Sequence, residues 1–293
     1  MQLYSHMFVF HYEFPLDVAL VLAEVVSGDM TVHLPRKNSR LCRVDFYCRS
    51  RADARRRLME IRQYAKNEKK TVPSAGLIKR LRKKDWTEVW KKQFIVRRVS
   101  RRIVVKPAWK TYSGRKDDCV IEVEPGMAFG TGEHATTRAC LSLIDECQKK
   151  YPESSFLDAG CGSGILAIAA AKLGFKPVIA IDNDPLAVKS AKINCVRNNV
   201  ADRVVCRRAD LLGFRPAKKF SVIAANLFAN VLIRSANNLV TLLDRKAGCR
   251  LILAGILEKQ YGGVAQAFFK RHLREIKKIK SRGWVTAVFE WRS

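Results

Sequence analysis

The chain has 293 residues, 48% of them hydrophobic, with 55 Lys and Arg against 27 Asp and Glu, a formal net charge of +28. That apolar content excludes global disorder, and no apolar run approaches the roughly 20 residues that cross a bilayer. The first basic residue is Arg36, so the N-terminus lacks the basic-then-apolar signature of a signal peptide, and a cytoplasmic protein with no membrane contact is expected.

The charge favours an acidic partner, with ribosomal RNA the obvious candidate, against the plainer reading of a well-solvated basic surface. It is not gathered in one tail: residues 1–118 hold 28 basic and 12 acidic residues, and the rest of the chain is basic too. The nine cysteines form no CxxC pair, which predicts reduced, mostly buried thiols and no metal site.

Residues 1–71 read as a small α/β unit of α+β type. A strand is expected over LYSHMFVFHYEF and a short helix over PLDVALVLAEVVSGD. A second strand follows in RLCRVDFYCRS, with Leu41, Val44, Phe46 and Tyr47 as its bulk. A basic helix then carries Ala54, Leu58, Ile61 and Tyr64 at helical spacing. Arg55 to Arg57 and Lys79 to Lys84 read mainly as solvated charge. Residues 72–118 are expected to be a linker helix and strand. In them Val72 to Lys84 is the connecting stretch, and Asp85 with Glu88 makes a capping box. Trp86, Val89, Trp90 and Phe94 line that helix, and RRIVVKPAW is the strand.

From residue 119 to 293 strands and helices alternate, which predicts a doubly wound, mostly parallel sheet with an antiparallel hairpin at its end. CVIEVEPGMAFGTGEHATT passes from a strand into a loop with Gly130 and Gly132 and then a helix. In that loop the plain reading makes Thr136 an N-cap and His134 a surface turn residue. FLDAGCGSG (156–164) ends a buried strand at Asp158 and turns through Gly160, Gly162 and Gly164 into a helix. PVIAID then ends a second strand at Asp182. The next helix has Leu186, Val188, Ala191 and Ile193 as its expected apolar set, and a later one is expected to be capped by Gly248. Asp158, Asp182, Asp210 and Asn226 all fall at carboxyl ends of strands, where such sheets bind ligands.

The glycine pattern is G-x-G-x-G with Ile165 where a dinucleotide fold needs its third glycine, and no GK[ST] follows. An acid at Asp158 would repel a pyrophosphate and accept an ammonium. A nucleoside carrying an amino-acid end, S-adenosylmethionine, is therefore the better physical fit. Cys161 in the loop reads as a small packed side chain.

LDAGCGSGILAIAAAKLG and IAIDNDPLAV resemble the first two motifs of class I, Rossmann-like, S-adenosylmethionine-dependent methyltransferases. With PGMAFGTGEHATTRACL, ANLFANVL and DWTEVWKKQF…RIVVKPAW, the stretch from Asp85 onward resembles the ribosomal protein L-eleven methyltransferase family. That resemblance implies a substrate-recognition domain over 1–71 and a catalytic domain over 119–293. It implies S-adenosyl-L-methionine as cofactor, with Thr137, Asp158, Gly160, Gly162, Gly164, Asp182 and Asn226 in contact with it. Asp182 would take the ribose hydroxyls, Thr137 would close the loop, and Asn226 would sit beside the sulfonium as a positioning residue. Glu133 and Ala135 stand where the family commonly has Thr and Pro. Asn226-Leu227-Phe228 lacks the prolines of the Asn-Pro-Pro-aromatic motif, which points to an aliphatic amine as acceptor. The implied reaction is N-methylation of lysine side chains, with N-terminal amines as further acceptors, on a ribosomal protein, L-eleven in the first instance. An RNA methyltransferase, a lysine methyltransferase of another protein, and a non-enzymatic ribosome-binding protein are the alternatives. His134 and Glu133 are the candidate bases.

Overall fold

The computed structural model describes residues 6–15, 18, 30–33, 41–48, 50–67, 78–82, 95–123, 132, 134–151, 154–246 and 248–292. The chain divides into two compact units, Met1–Gln93 and Phe94–Ser293.

In the first unit β1 (His6–Pro15), β2 (Met30–His33), β3 (Leu41–Cys48) and β4 (Lys79–Arg82) form an antiparallel sheet in the order β2-β3-β1-β4, with helix α1 (Arg51–Asn67) after β3. Strand alternation selects one face of β3: Cys42, Val44, Phe46 and Cys48 are buried, whereas Leu41, expected to supply bulk, is exposed. Phe10 faces Phe46 across the ladder with the rings stacked at 4.9 Å, and Ala54 and Ile61 of α1 complete this core.

Three sequence expectations change here. Lys79–Arg82, inside the expected connecting stretch, is a strand whose backbone pairs with β1, and Met30–His33 is a further strand. Short edge strands are held by backbone pairing, so their side chains carry little signal. Arg57 is buried, donating to the Tyr47 carbonyl at 3.0 Å and facing Asp53, while Arg56 bridges Asp53 and Glu60. Two of the three arginines at 55–57 are thus tied into their own helix. The helix expected over residues 15–29, the capping box at Asp85 and Glu88, and Trp86, Val89, Trp90 and Phe94 lie outside the described residues, except Val18 and Pro15, the last residue of β1.

The second unit begins with a three-stranded sheet, β5 (Arg97–Arg98), β6 (Ile103–Pro107) and β7 (Cys119–Val123), in which β6 and β7 run parallel. Ser100 and Arg102 donate to the Asp145 carboxylate at 2.7 and 2.6 Å, tying the β5–β6 turn to helix α2 (Ala135–Lys150). There follow β8 (Phe156–Ala159), α3 (Ile165–Leu173), β9 (Val178–Asp182), α4 (Pro185–Arg197) and β10 (Val204–Arg208). After them come β11 (Val222–Asn226), α5 (Ala229–Leu242), β12 (Arg250–Leu257), α6 (Tyr261–Phe269), β13 (Leu273–Ser281) and β14 (Trp284–Trp291). The seven-stranded sheet has the order β10-β9-β8-β11-β12-β14-β13, parallel except where β14 pairs antiparallel with β12 and β13.

Both faces of this sheet are covered. Phe156, Val178, Ala180, Val222, Ala224 and Ile252 pack with residues of α2, α3 and α4, among them Leu141, Ile144, Ile168 and Ala191. Leu157, Ala159, Ile223, Ala225, Leu251 and Leu253 pack with Leu232 and Leu239 of α5 and Phe268 of α6. Two-sided burial explains why these strands read as continuous apolar runs. The strand order reverses between β8 and β11, so a crevice opens at the carboxyl ends of those strands.

Two helix expectations are corrected. In α4 the buried set is Ala187, Val188, Ala191, Asn194 and Cys195, while Leu186 and Ile193 are 62% and 49% exposed. Positions 188, 191 and 195 share a helical face that 186 and 193 do not. Helix α5 ends at Leu242 with an extended residue, Leu243, as its C-cap, not at Gly248. Phe220 N donates to the Leu242 carbonyl and Asp244 N donates to the Phe220 carbonyl, drawing the chain into a bridge beside the sheet. The basic residues of β13 are engaged locally: Arg274 with Glu290, Lys277 with Glu146, Lys278 with Glu275 and Lys280 with Glu258. Among the described residues no helix is long and apolar enough to cross a membrane.

Candidate cofactor site

Strand β8 ends one residue before Gly160, and the chain must reverse at once to place α3 on the sheet. Gly160, Gly162 and Gly164 make that turn at φ of 76°, 51° and 79°, which side chains with a Cβ resist. Space is as restrictive as torsion: a Cβ at Gly160 would lie 2.4 Å from Leu227 Cδ2, and one at Gly164 would lie 2.9 Å from Ala191 Cβ.

The loop spends its own amides. Gly160 N and Cys161 N both donate to the Ile181 carbonyl at 2.9 Å, Gly164 N donates to the Cys161 carbonyl, and Gly162 N donates to Asp182 Oδ2 at 2.9 Å. Asp158, buried beneath, accepts from Ala167 N in the first turn of α3 at 3.0 Å. Gly164, the N-cap of α3, has no side chain to offer, and Asp158 supplies the acceptor instead. A carboxyl group thus occupies the helix start where a dinucleotide's pyrophosphate would bind. The loop is not built for phosphate.

Burial, with the Asp182 charge adding to it and the Ala167 amide opposing, pushes the Asp158 carboxyl up to about 7. Asp182, at the end of β9, is half-buried and held on both oxygens, by Gly162 N and by Asp184 N at 3.0 Å. Asn194 of α4 donates to the Ser163 carbonyl at 2.9 Å, pinning the loop from behind. Across the switch point Asn226 ends β11, and its Nδ2 reaches Thr137 Oγ1 of α2 at 3.4 Å. Asn226 Oδ1 is buried with no partner among the described residues. A native buried acceptor left open calls for an explanation, and a ligand donor is one.

Gly162 and Asp182 are bonded directly, with Asp158, Gly160 and Gly164 in the same strand–turn–helix segment, and Thr137 and Asn226 form a second pair. Asp210 joins neither: it is exposed and turns back to accept from Leu212 N at 3.0 Å. Burial raises the Cys161 thiol, which suits a packed side chain and not a nucleophile. His134, expected at the surface, is half-buried and is the N-cap of α2, accepting from Thr136 N and lying 2.7 Å from Thr136 Oγ1. Thr136 is itself buried and is not the cap. The His134 ring stands edge-on to Trp284 at 4.8 Å. Burial, aided by the Arg138 charge, lowers its pKa to about 4. Because the folded value is the lower one, stability is lost as pH falls from about 6.5 toward 4. An NMR titration is expected to show the His134 ring changing charge near pH 4; a midpoint near 6.5 would contradict the packing. Glu133 and Gly130 lie outside the described residues.

Gly255, Asn194 and Trp284 were not singled out from the sequence. Gly255 has φ of 81° and faces the Leu227 backbone, and a lone glycine inside an apolar strand is the only trace it leaves.

The sequence model of the family described as ribosomal protein L11 methyltransferase (PrmA) matches residues 23–292. The chain belongs to this family. The ribosomal protein L11 methyltransferase of Ruminiclostridium cellulolyticum is 39% identical over 207 residues, covering 70% of this chain and 64% of that protein. The one from Chloroflexus aurantiacus is 40% identical over 231 residues, covering 71% and 69%. The match therefore spans slightly less than two thirds of the first relative's length. The crystal structure of ribosomal protein L11 methylase from Lactobacillus delbrueckii subsp. bulgaricus superposes with a TM-score of 0.62 at 29% identity, covering 68% of this chain and 100% of that one. Membership in the L11 methyltransferase family agrees with a loop in which the amides of Gly160, Cys161, Gly162 and Gly164 are bonded within the protein.

Proposed function

We propose that this chain is an S-adenosylmethionine-dependent methyltransferase that methylates lysine amines of ribosomal protein L11. The observation that carries the reading is the Asp182 carboxylate, fixed by two backbone amides beside a glycine loop in which the amides of Gly160, Cys161, Gly162 and Gly164 are already used. It suits a ribose diol attached to something other than phosphate. The orphaned Asn226 Oδ1 supports the fit.

In this reading Asp182 accepts both ribose hydroxyls, and Gly160, Gly162 and Gly164 let the backbone pass under the methionine end. Asp158 faces its ammonium, Thr137 closes over it, and Asn226 lies by the reacting centre. S-adenosylmethionine supplies a methyl group already activated by its sulfonium. The protein's part is therefore to position the amine and exclude water. Asn226 Oδ1 accepts one N–H of the neutral acceptor amine and aims its lone pair. His134 Nδ1 is committed to Thr136 and is a poor base. Residues 1–71 serve as the substrate-recognition part, residues 72–118 link it to the catalytic part at 119–293, and the setting is cytoplasmic. Contact with the ribosome or its RNA through basic surface belongs to the same reading.

Binding is expected to be pH-dependent with a defined sign. Asp158 is raised to about 7 in the free protein, and an ammonium beside it lowers that value, so binding releases a proton below pH 7. The Kd should fall by up to about tenfold per pH unit as pH rises to 7 and level off above it. Calorimetry in buffers of different ionisation enthalpy reads the proton release directly; a flat Kd between pH 5.5 and 7.5 would remove Asp158 from the site. For the substrate, labelled S-adenosylmethionine is incubated with free L11 and with whole ribosomes, and protein and RNA are separated. Label in L11 lysines is expected. Label confined to ribosomal RNA overturns the acceptor assignment, and bound cofactor without transfer overturns the enzymatic one.

A further inference from the structure

We infer that Cys195 and Cys206 form a reversible, peroxide-driven disulfide that reports oxidation to the cofactor loop. The loop's role as cofactor cradle rests on the function proposed above, but the disulfide itself does not.

Cys195 lies on the inner face of α4 and Cys206 in the middle of the edge strand β10, and their sulfurs are 3.9 Å apart. Cys206 is only half-buried, on a strand with no further neighbour in the sheet among the described residues, so a small oxidant reaches it; Cys195 is buried behind it. That is the arrangement of an attacked thiol with a resolving thiol at hand. Either thiol can donate the hydrogen bond between them; with Cys195 as donor and the Lys192 charge helping, against burial, Cys206 is lowered, whereas Cys195 is raised by the same hydrogen bond and by burial. The more accessible sulfur is therefore the better nucleophile.

The chemistry balances with hydrogen peroxide as the two-electron oxidant. Cys206 thiolate attacks one peroxide oxygen, the O–O bond breaks, and a sulfenic acid and water result after protonation. The Cys195 sulfur then attacks the sulfenic sulfur, the S–O bond breaks and a second water leaves. Two thiols and one peroxide have become one disulfide and two waters. A dithiol reductant reverses the bridge by exchange.

The bridge matters because of what else α4 holds. The sulfurs must close from 3.9 Å to about 2.05 Å, drawing the last turns of α4 toward β10. Asn194, the adjacent residue, holds the Ser163 carbonyl, and Ala191, one turn earlier, is packed against Gly164. Moving Cys195 thus pulls at both supports of the loop.

The test treats the full chain with hydrogen peroxide, followed by non-reducing peptide mapping and calorimetric titration with S-adenosylmethionine. The expected result is a Cys195–Cys206 peptide, a 2 Da mass loss, and a rise of about tenfold in Kd, all reversed by dithiothreitol. Cys206→Ser and Cys195→Ala are each expected to bind normally before treatment and to show neither the bridge nor the shift in Kd. A bridge from Cys206 to Cys161, or sulfinic acid at Cys206 without a bridge, overturns the pairing. The bridge with unchanged Kd overturns the link to the loop. If untreated protein binds no S-adenosylmethionine, the cofactor assignment has failed, and the mapping still decides the disulfide.

Discussion

Asp182→Ala is expected to raise the Kd for S-adenosylmethionine by about 10²–10³-fold. A carboxylate accepting two ribose hydroxyls contributes roughly 1.5–3 kcal/mol for each charge-assisted bond, or about 3–4 kcal/mol together after partial replacement by water. The same substitution frees Gly162 N and Asp184 N, so the loop loses a tether as the ligand loses a partner. Asp182→Asn keeps one acceptor oxygen and should fall between wild type and alanine. Calorimetric titration reads both variants, and a Kd within twofold of wild type for Asp182→Ala would place the ribose elsewhere. Asp182 is half-buried at a crevice edge, so melting should move by only a few degrees, which separates lost binding from lost fold.

Gly255→Ala should give the largest loss of stability from a single methyl group. The residue sits at φ of 81°, and the added Cβ would lie 2.5 Å from the Leu227 carbonyl oxygen and 2.9 Å from its carbon. These are backbone atoms that no rotamer change relieves. A left-handed conformation costs a residue with a Cβ about 1–2 kcal/mol, and the overlap adds roughly 1–3 kcal/mol. For a unit of this size the melting temperature should drop by roughly 5–15 °C. The Leu227 side chain packs against Gly160, so cofactor affinity should weaken as well. Gly262→Ala is the matched control: nothing lies within 4 Å of its added Cβ, and it sits in α6. Its melting temperature should stay level or rise slightly. Equal melting losses for the two variants would mean that Gly255 is not confined.

Much of the second unit was legible because periodicity and turn chemistry agreed there. The run from Phe156 to Asp182 announces strand, glycine turn, helix and strand in succession, and the carboxyl ends of the strands bring Asp158, Asp182 and Asn226 to one edge. Less could be read where backbone pairing or three-dimensional crowding decides. KRLR at 79–82 has no apolar pattern, yet β1 pairs with it. Arg57 looks like surface charge until Asp53 and the Tyr47 carbonyl are seen around it. His134 caps its helix because Thr136 turns inward. Asn198 gives no hint that its amide exchanges two bonds with the Glu122 backbone, fastening the end of α4 to β7.

The placement of β14 also bears on how the chain is made. It is the last described strand to leave the ribosome, yet it lies between β12 and β13 and must be inserted, not added. Until residues 284–291 emerge, β12 offers an unpaired edge rich in aliphatic side chains, and His134 has no Trp284 to pack on. Open apolar edges invite pairing with other nascent chains. Pauses in translation within the final hairpin should therefore raise the aggregated fraction more than pauses after β11, a difference that pulse-labelled sedimentation can measure.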